Sequence, residues 1–158
     1  MRAVIPYKKE NAKSRLSPVL SQTEREEFVE LMLRDVVSSL QSAGVTKIDI
    51  LTTSSEGVPD ELDVGLVVTE PGLNVSINSY MQNVDEPTMI IMADLPLVRS
   101  SHIKKIISYP EDVVILPGKG GGTNILFIRQ PKEFTVKYNG CSFISHCEIT
   151  KELGKSIR

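Results

Sequence analysis

The sequence is poor in the residues from which most metal and nucleophile signatures are built. It has two cysteines, Cys141 and Cys147, and two histidines, His102 and His146. Neither C-x-x-C nor H-x-x-x-H spacing occurs, which argues against a zinc centre, because structural zinc needs closely spaced thiolate and imidazole ligands. No G-x-S-x-G elbow is present, so the usual setting for a Ser-His-Asp nucleophile is missing. There is no apolar signal segment and no apolar run long enough to cross a bilayer, which predicts free thiols, a reducing cytoplasm and no membrane partner. Positive charge is not in surplus either: 18 Lys and Arg face 20 Asp and Glu, for a net charge of −2. The lack of a global basic field argues against nucleic acid as a partner, and any anion site must be a local cluster. The cysteines read as small core-filling groups, and His146, at a helical position, as a packing or hydrogen-bonding group rather than a catalytic one.

What is present is an ordinary globular composition, 41% hydrophobic and 24% charged over 158 residues, enough for one domain with a real core. No internal repeat, linker or low-complexity segment divides it. "RAVIPY" opens as a strand and runs into the polar loop "KKENAKSRLSPVLS". Ser21 and Glu24 have capping-box spacing, and Phe28, Leu31, Met32, Val36 and Leu40 recur at helical intervals until Gly44. "KIDILT" and "VGLVVT" read as strands, "NVSINSYMQN" as a weak helix, and "TMIIMADLP" as a central parallel strand. "SSHIKKIISY" follows as a crossover helix capped by Ser100 or Ser101, with Ile103, Ile106 and Ile107 on one face. "DVVILP", "NILFI" and "FTVKY" supply further strands, and "SFISHCEITKEL" a last helix capped by Ser142. This alternation predicts a three-layer, Rossmann-like α/β domain over residues 1–158 with a mixed, mainly parallel sheet.

In open α/β sheets, ligands bind beyond the carboxyl ends of the strands, and three features of the sequence fall there. Lys8, Lys9, Lys13 and Arg15 follow the first strand with only Glu10 to offset them, a local anion site unless they are merely solvated, the reading that suits Lys9. Asp94 follows "MIIMA", and Leu95-Pro96 stops the strand, which puts the carboxylate at the rim as a metal ligand or, in the plainer reading, a turn residue. "ILPGKGGGTNILFI" sets Lys119 within a glycine run between two apolar segments. It has neither the spacing of a P-loop nor a following helix, so it reads either as an anion-binding loop or as a long hairpin turn. Together, cationic loop, aspartate and glycine loop point to a phosphate-rich substrate with magnesium.

"IPYKKENAKSRLSPVLSQTERE", "MADLPLV", "PGKGGGTNIL" and "GCSFISH", in this order, closely resemble the 2-phospho-L-lactate guanylyltransferase family over nearly the whole chain. Its archaeal members act in synthesis of the methanogen deazaflavin coenzyme. Its fold relatives, of the nucleotide-diphospho-sugar transferase type, include the molybdenum-cofactor guanylyltransferases. Those carry a "GGxGxR" first loop, where this sequence has Pro6, Lys8, Lys13 and Arg15. The resemblance implies a nucleotidyltransferase joining GTP and 2-phospho-L-lactate into lactyl diphosphoguanosine and pyrophosphate. Bacterial relatives are understood to use phosphoenolpyruvate or another phosphorylated three-carbon acid. By position, Lys8, Lys13 and Arg15 would meet phosphates and Asp94 would hold Mg2+. Gly120, Gly121, Gly122, Thr123, Asn124, Gly140 and Ser142 would surround the acceptor. A homodimer is left open. Family members continue into a further strand and an acidic D-x-D segment, so the resemblance implies a domain lacking that segment and its second metal carboxylate, and Asn139 stands where a glycine is expected. A sugar-phosphate or molybdopterin nucleotidyltransferase, and a silent nucleotide-binding domain, are the alternative functions.

Overall fold

Strand β1 (Arg2–Pro6) lies inside the sheet, and its side chains alternate between two separate cores. Ala3 and Ile5 join one and Val4 the other, all without solvent exposure in this computed structural model, which describes residues 1–158. A strand buried on both faces must be apolar throughout rather than alternating, which is why β1 and "TMII" of β4 (Thr88–Ile91) read as continuous apolar runs. The other strands are β2 (Lys47–Thr52), β3 (Gly65–Val68), β5 (Val113–Pro117) and β6 (Thr123–Ile128). They form one six-stranded sheet in the order β3-β2-β1-β4-β6-β5. Helices α1 (Gln22–Ser42) and α3 (Ser100–Ser108) cover one face, while α2 (Leu73–Met81) and α4 (Ser142–Glu152) cover the other. This is the expected three-layer mixed sheet. β1, β2, β3 and β4 pair in parallel, so β4 is parallel to β1, but its other neighbour, β6, runs antiparallel to it.

Helix α1 begins at the expected capping box: Ser21 N–H donates to Glu24 Oε2 at 2.8 Å, and Glu24 N–H to Ser21 Oγ at 3.3 Å. It ends in a Schellman turn, with Gly44 at φ 90° and the Val45 N–H donating to the Leu40 carbonyl. Its buried stripe is Val29, Met32, Leu33, Val36, Val37 and Leu40. Phe28 and Leu31, expected on that stripe, are 41% and 60% exposed. They obey helical spacing but lie on its flank, because the sheet is met by the line through Val29, Leu33, Val36 and Leu40.

Three other expectations are corrected. Helix α3 is entered from Arg99, whose backbone N–H donates to His102 Nδ1 at 3.2 Å, so neither Ser100 nor Ser101 is its cap. Helix α4 has Cys141 at its cap position, with Ser142 as its first residue. "FTVKY" is no strand: its backbone donors are taken by side chains instead of a neighbouring strand. Val136 N–H donates to Asn78 Oδ1, Tyr138 N–H to Asn74 Oδ1 and Lys137 N–H to His146 Nε2. Phe134 and Val136 still fill the core under β4 and β6, which accounts for the strand-like pattern of this segment.

The parallel strands bring Pro6, Thr52, Val68, Ile91 and Pro117 to one rim. β5 and β6 pair antiparallel, so the glycine run is the tip of a hairpin at that same rim.

Candidate active site

The loop after β1 is held in a costly shape. Asn11 and Lys13 both have left-handed backbones, at φ 51° and 52°, and neither is glycine. Asparagine visits this conformation readily, but it costs a lysine about 1–2 kcal/mol and persists at Lys13 only where surrounding contacts impose it. Two contacts do so here. Arg25 of α1 donates to the Ala12 carbonyl at 3.1 Å, and Lys9 Nζ pairs with Glu30 Oε2 at 2.9 Å. Lys9 also lies across Gly57, where a Cβ would come within 2.8 Å of its stem. Lys9 is therefore a tether between the loop and α1, correcting its reading as a solvated charge.

The strained backbone at Lys13 aims its ammonium at Asp94, with which it forms an ion pair. Asp94 sits past the end of β4, its side chain 48% exposed. The expected rim position thus holds, and residues 81 positions apart meet. Lys8 and Arg15 are exposed near the same loop and form no salt bridge. Lys8 also lines a cleft of about 340 Å³ over the ends of β1 and β2, with Tyr7, Thr52, Thr53, Thr69 and Ser76. On the other side of Asp94 is a pocket of about 300 Å³, lined by Leu95, Leu97, His102 and Asn124.

No cluster of three or more His, Cys, Asp or Glu stands anywhere in the chain. A metal that needs several protein donors does not fit. A hydrated hard cation does fit at Asp94, because such an ion takes one or two carboxylates and fills its shell with water and phosphate oxygens. The Lys13 ammonium against this carboxylate is a stand-in cation at that position.

The hairpin tip and the start of α4 meet beside this rim. Gly121, at φ 81°, accepts the Phe143 N–H at its carbonyl, 3.1 Å away, and a Cβ on Gly121 would touch Cys141. The Gly118 N–H donates to the Gly122 carbonyl and that of Gly121 to the Gly118 carbonyl, while those of Lys119, Gly120 and Gly122 reach no backbone acceptor. The two segments assigned to the acceptor, Gly120–Asn124 and Gly140–Ser142, are therefore neighbours. Thr123 and Ser142 themselves are only 4% and 3% exposed. Their hydroxyls lie 3.2 Å apart, and Thr123 Oγ1 is 2.9 Å from His146 Nδ1.

His146 is fully buried, with the Tyr138 ring edge-on to it at 4.8 Å, and burial pushes its pKa down to about 4. Its role is the hydrogen-bonding one expected. Between an unfolded pKa near ~6.5 and this folded value, the unfolded chain binds the extra proton, so stability rises with pH. His146 should thus remove stability as pH falls from about 6.5 towards 4, at up to about 1.4 kcal/mol per pH unit. Thermal melts of wild type and His146→Gln across pH 4–7 test this, as only the wild type should carry that component. Glu86, held at about 2 chiefly by Lys47, acts in a lower window, below the ordinary carboxylate pKa of ~4.3.

The largest cleft, about 830 Å³, runs between α2 and strands β2 and β3 and adjoins the cleft of Lys8 at Thr69 and Ser76. Its two cations are both paired: Arg2 with Asp49 and Glu86, and Lys47 with Glu86. No cation of this cleft is left free for a substrate phosphate.

The model of the CofC family, described as guanylyl transferase CofC like, matches residues 1–158. The chain belongs to this family. Within the CofC-like proteins, it is 71% identical over 157 residues to the 2-phospho-L-lactate guanylyltransferase of Methanococcoides burtonii, covering 99% of this chain and 73% of that one. It is 54% identical to the enzyme of that name from Methanosarcina mazei, covering 99% and 76%. Among solved structures, a putative nucleotide-diphospho-sugar transferase from Desulfovibrio desulfuricans superposes with a TM-score of 0.79 at 12% identity, covering 99% of this chain and 79% of that one. A nucleotidyl transferase from Methanothermobacter superposes at 0.72 and 15%, covering 99% and 84%. These likenesses show the nucleotidyltransferase fold, and the family match makes this CofC-like chain a nucleotidyltransferase. Both cysteines are free, and no helix is long and apolar enough to cross a membrane.

Proposed function

We propose that this protein transfers the guanylyl group of GTP to the phosphate of 2-phospho-L-lactate, releasing pyrophosphate. The observation that carries this reading is the 71% identity, over 99% of the chain, to a protein named for that reaction. The site is consistent with it. Lys8, Lys13 and Arg15 offer cations for the nucleotide phosphates, and the cleft over β1 and β2 has room for the nucleoside. The backbone donors of the hairpin, backed by Thr123 and Ser142, suit the phosphate and carboxylate of a small acid.

The reaction needs no enzymic base. A phosphate monoester has a second pKa near ~6, so its dianion attacks the α-phosphorus directly. One oxygen–phosphorus bond forms as the bond to the β-phosphate oxygen breaks, and pyrophosphate leaves with the electron pair. Mg2+ bound at Asp94 would supply charge neutralisation on the phosphates. Lys13, released from Asp94, turns to the departing pyrophosphate, and the hairpin aligns the attacking phosphate.

The test is pyrophosphate release, crossing GTP, ATP and CTP with 2-phospho-L-lactate, phosphoenolpyruvate and 3-phosphoglycerate, with and without Mg2+. GTP with phospholactate and Mg2+ should give the highest kcat/KM, by at least about tenfold, the factor that one lost hydrogen bond to an ionised group produces. Equal turnover of all three acids, or none without a second protein, rejects the reading.

A further inference from the structure

The cluster formed by Thr123, Ser142 and His146 holds one donor more than the protein itself can satisfy. The Lys137 backbone N–H donates to His146 Nε2 at 3.0 Å, so that nitrogen carries no proton. A neutral imidazole must then hold its proton on Nδ1, which donates to Thr123 Oγ1 at 2.9 Å. Thr123 and Ser142 share a single hydroxyl–hydroxyl bond, and apart from His146 on Thr123 neither hydroxyl has a further side-chain partner. Two hydroxyl hydrogens and one bond between them leave one hydrogen over. The opposite tautomer would leave none, since Thr123 would donate to Nδ1 and Ser142 to Thr123. The amide of Lys137 therefore decides whether a spare donor exists.

That donor is buried, and buried donors left unmade are rare in folded proteins. Ser142 Oγ lies 4.0 Å from where Gly122 would carry a Cβ, against the stretch of hairpin that has no side chains. The unpartnered N–H groups of Gly120 and Gly122 belong to the same stretch. All of these groups are donors, so the ligand they suit is an anion.

We infer that His146 is a positioning residue: fixed as the Nδ1–H tautomer by the Lys137 amide, it donates to Thr123 and turns a hydroxyl hydrogen of the Thr123–Ser142 pair towards an anionic group of the acceptor acid at the hairpin. This rests on the acceptor site assigned under the proposed function. It gives the buried histidine a part in acceptor binding without proton transfer, and it explains why a segment shaped like a strand ends its backbone on a side chain.

Two measurements test it. Nitrogen NMR of the ligand-free protein reads the tautomer directly: a protonated Nδ1 and bare Nε2 are expected, and a protonated Nε2 overturns the inference even if every variant fails to fold. His146→Gln keeps an acceptor near the Nε2 position and loses the donor to Thr123, whereas His146→Asn keeps a donor near Nδ1. Calorimetry with 2-phospho-L-lactate should show the Gln variant weakened about tenfold or more and the Asn variant much less, with GTP affinity unchanged in both. Equal losses in the two variants that follow their melting temperatures overturn it, because that is the pattern of a packing role. A wild type that binds GTP but not phospholactate rejects the acceptor assignment itself, and is told apart from failure of the histidine by wild-type binding alone.

Discussion

Asp94→Asn is expected to lower kcat by at least about a hundredfold, the scale on which removing one preorganised electrostatic group acts, while the fold survives. The substitution keeps the size of the side chain and removes only its charge. That charge lies at the rim, 48% exposed, and fills no core. Its partner in the ligand-free protein is Lys13, and an ion pair this exposed is worth about 0–1 kcal/mol, so melting should shift by only a few degrees. The loss falls on chemistry because a hydrated hard cation takes only one or two carboxylates, and Asp94 would be one of them. Normal turnover with unaltered Mg2+ dependence in Asp94→Asn would show that the metal is held elsewhere. A collapse in melting temperature matching the loss of activity would show that Asp94 holds the fold instead.

The second large effect separates two lysines of one loop. Lys13→Gly should reduce kcat/KM by about tenfold to a hundredfold, as expected for a lost charge-assisted contact to a phosphate worth roughly 1.5–3 kcal/mol. Its stability should stay level or rise, because glycine relieves the left-handed backbone at φ 52°, a cost of about 1–2 kcal/mol in a lysine, at the expense of one exposed ion pair. Activity and stability thus move apart. Lys9→Ala should do the opposite, losing up to about 1 kcal/mol of stability with its Glu30 pair and leaving nucleotide affinity nearly intact. Steady-state kinetics and denaturant melts of both variants decide the point. Equal, small kinetic effects would reduce the loop to a solvated charge run. A strongly destabilised Lys13→Gly would mean that the ion pair, and not function, maintains the backbone shape.

Local chemistry along the chain determined most of the elements and the family. The capping box at Ser21 and Glu24 and the glycine after α1 are each decided by residues a few positions apart and stand where expected, whereas β4 ends at Ile91, ahead of the Leu95-Pro96 stop. The motif order was enough for the family, because it records which loops stand at the rim without specifying how they meet. Local spacing could not choose between residues with the same period, so Phe28 and Leu31 looked as buried as Val36 until the sheet supplied a direction. Nor could it show what a donor finds at long range. The segment 134–138 has a strand's pattern, yet Asn74, Asn78 and His146 take its N–H groups before any strand can. The glycine run remained ambiguous for the same reason: the antiparallel pairing of β6 with β5, not any residue in the loop, makes it a hairpin and carries its tip to the rim. The meeting of Lys13 with Asp94, of Lys9 with Glu30 and of Thr123 with His146 was decided by tertiary structure alone. Each joins side chains brought together by strand order and helix packing, and those depend on which surfaces exclude water together, a property of the folded whole that no short window of sequence contains.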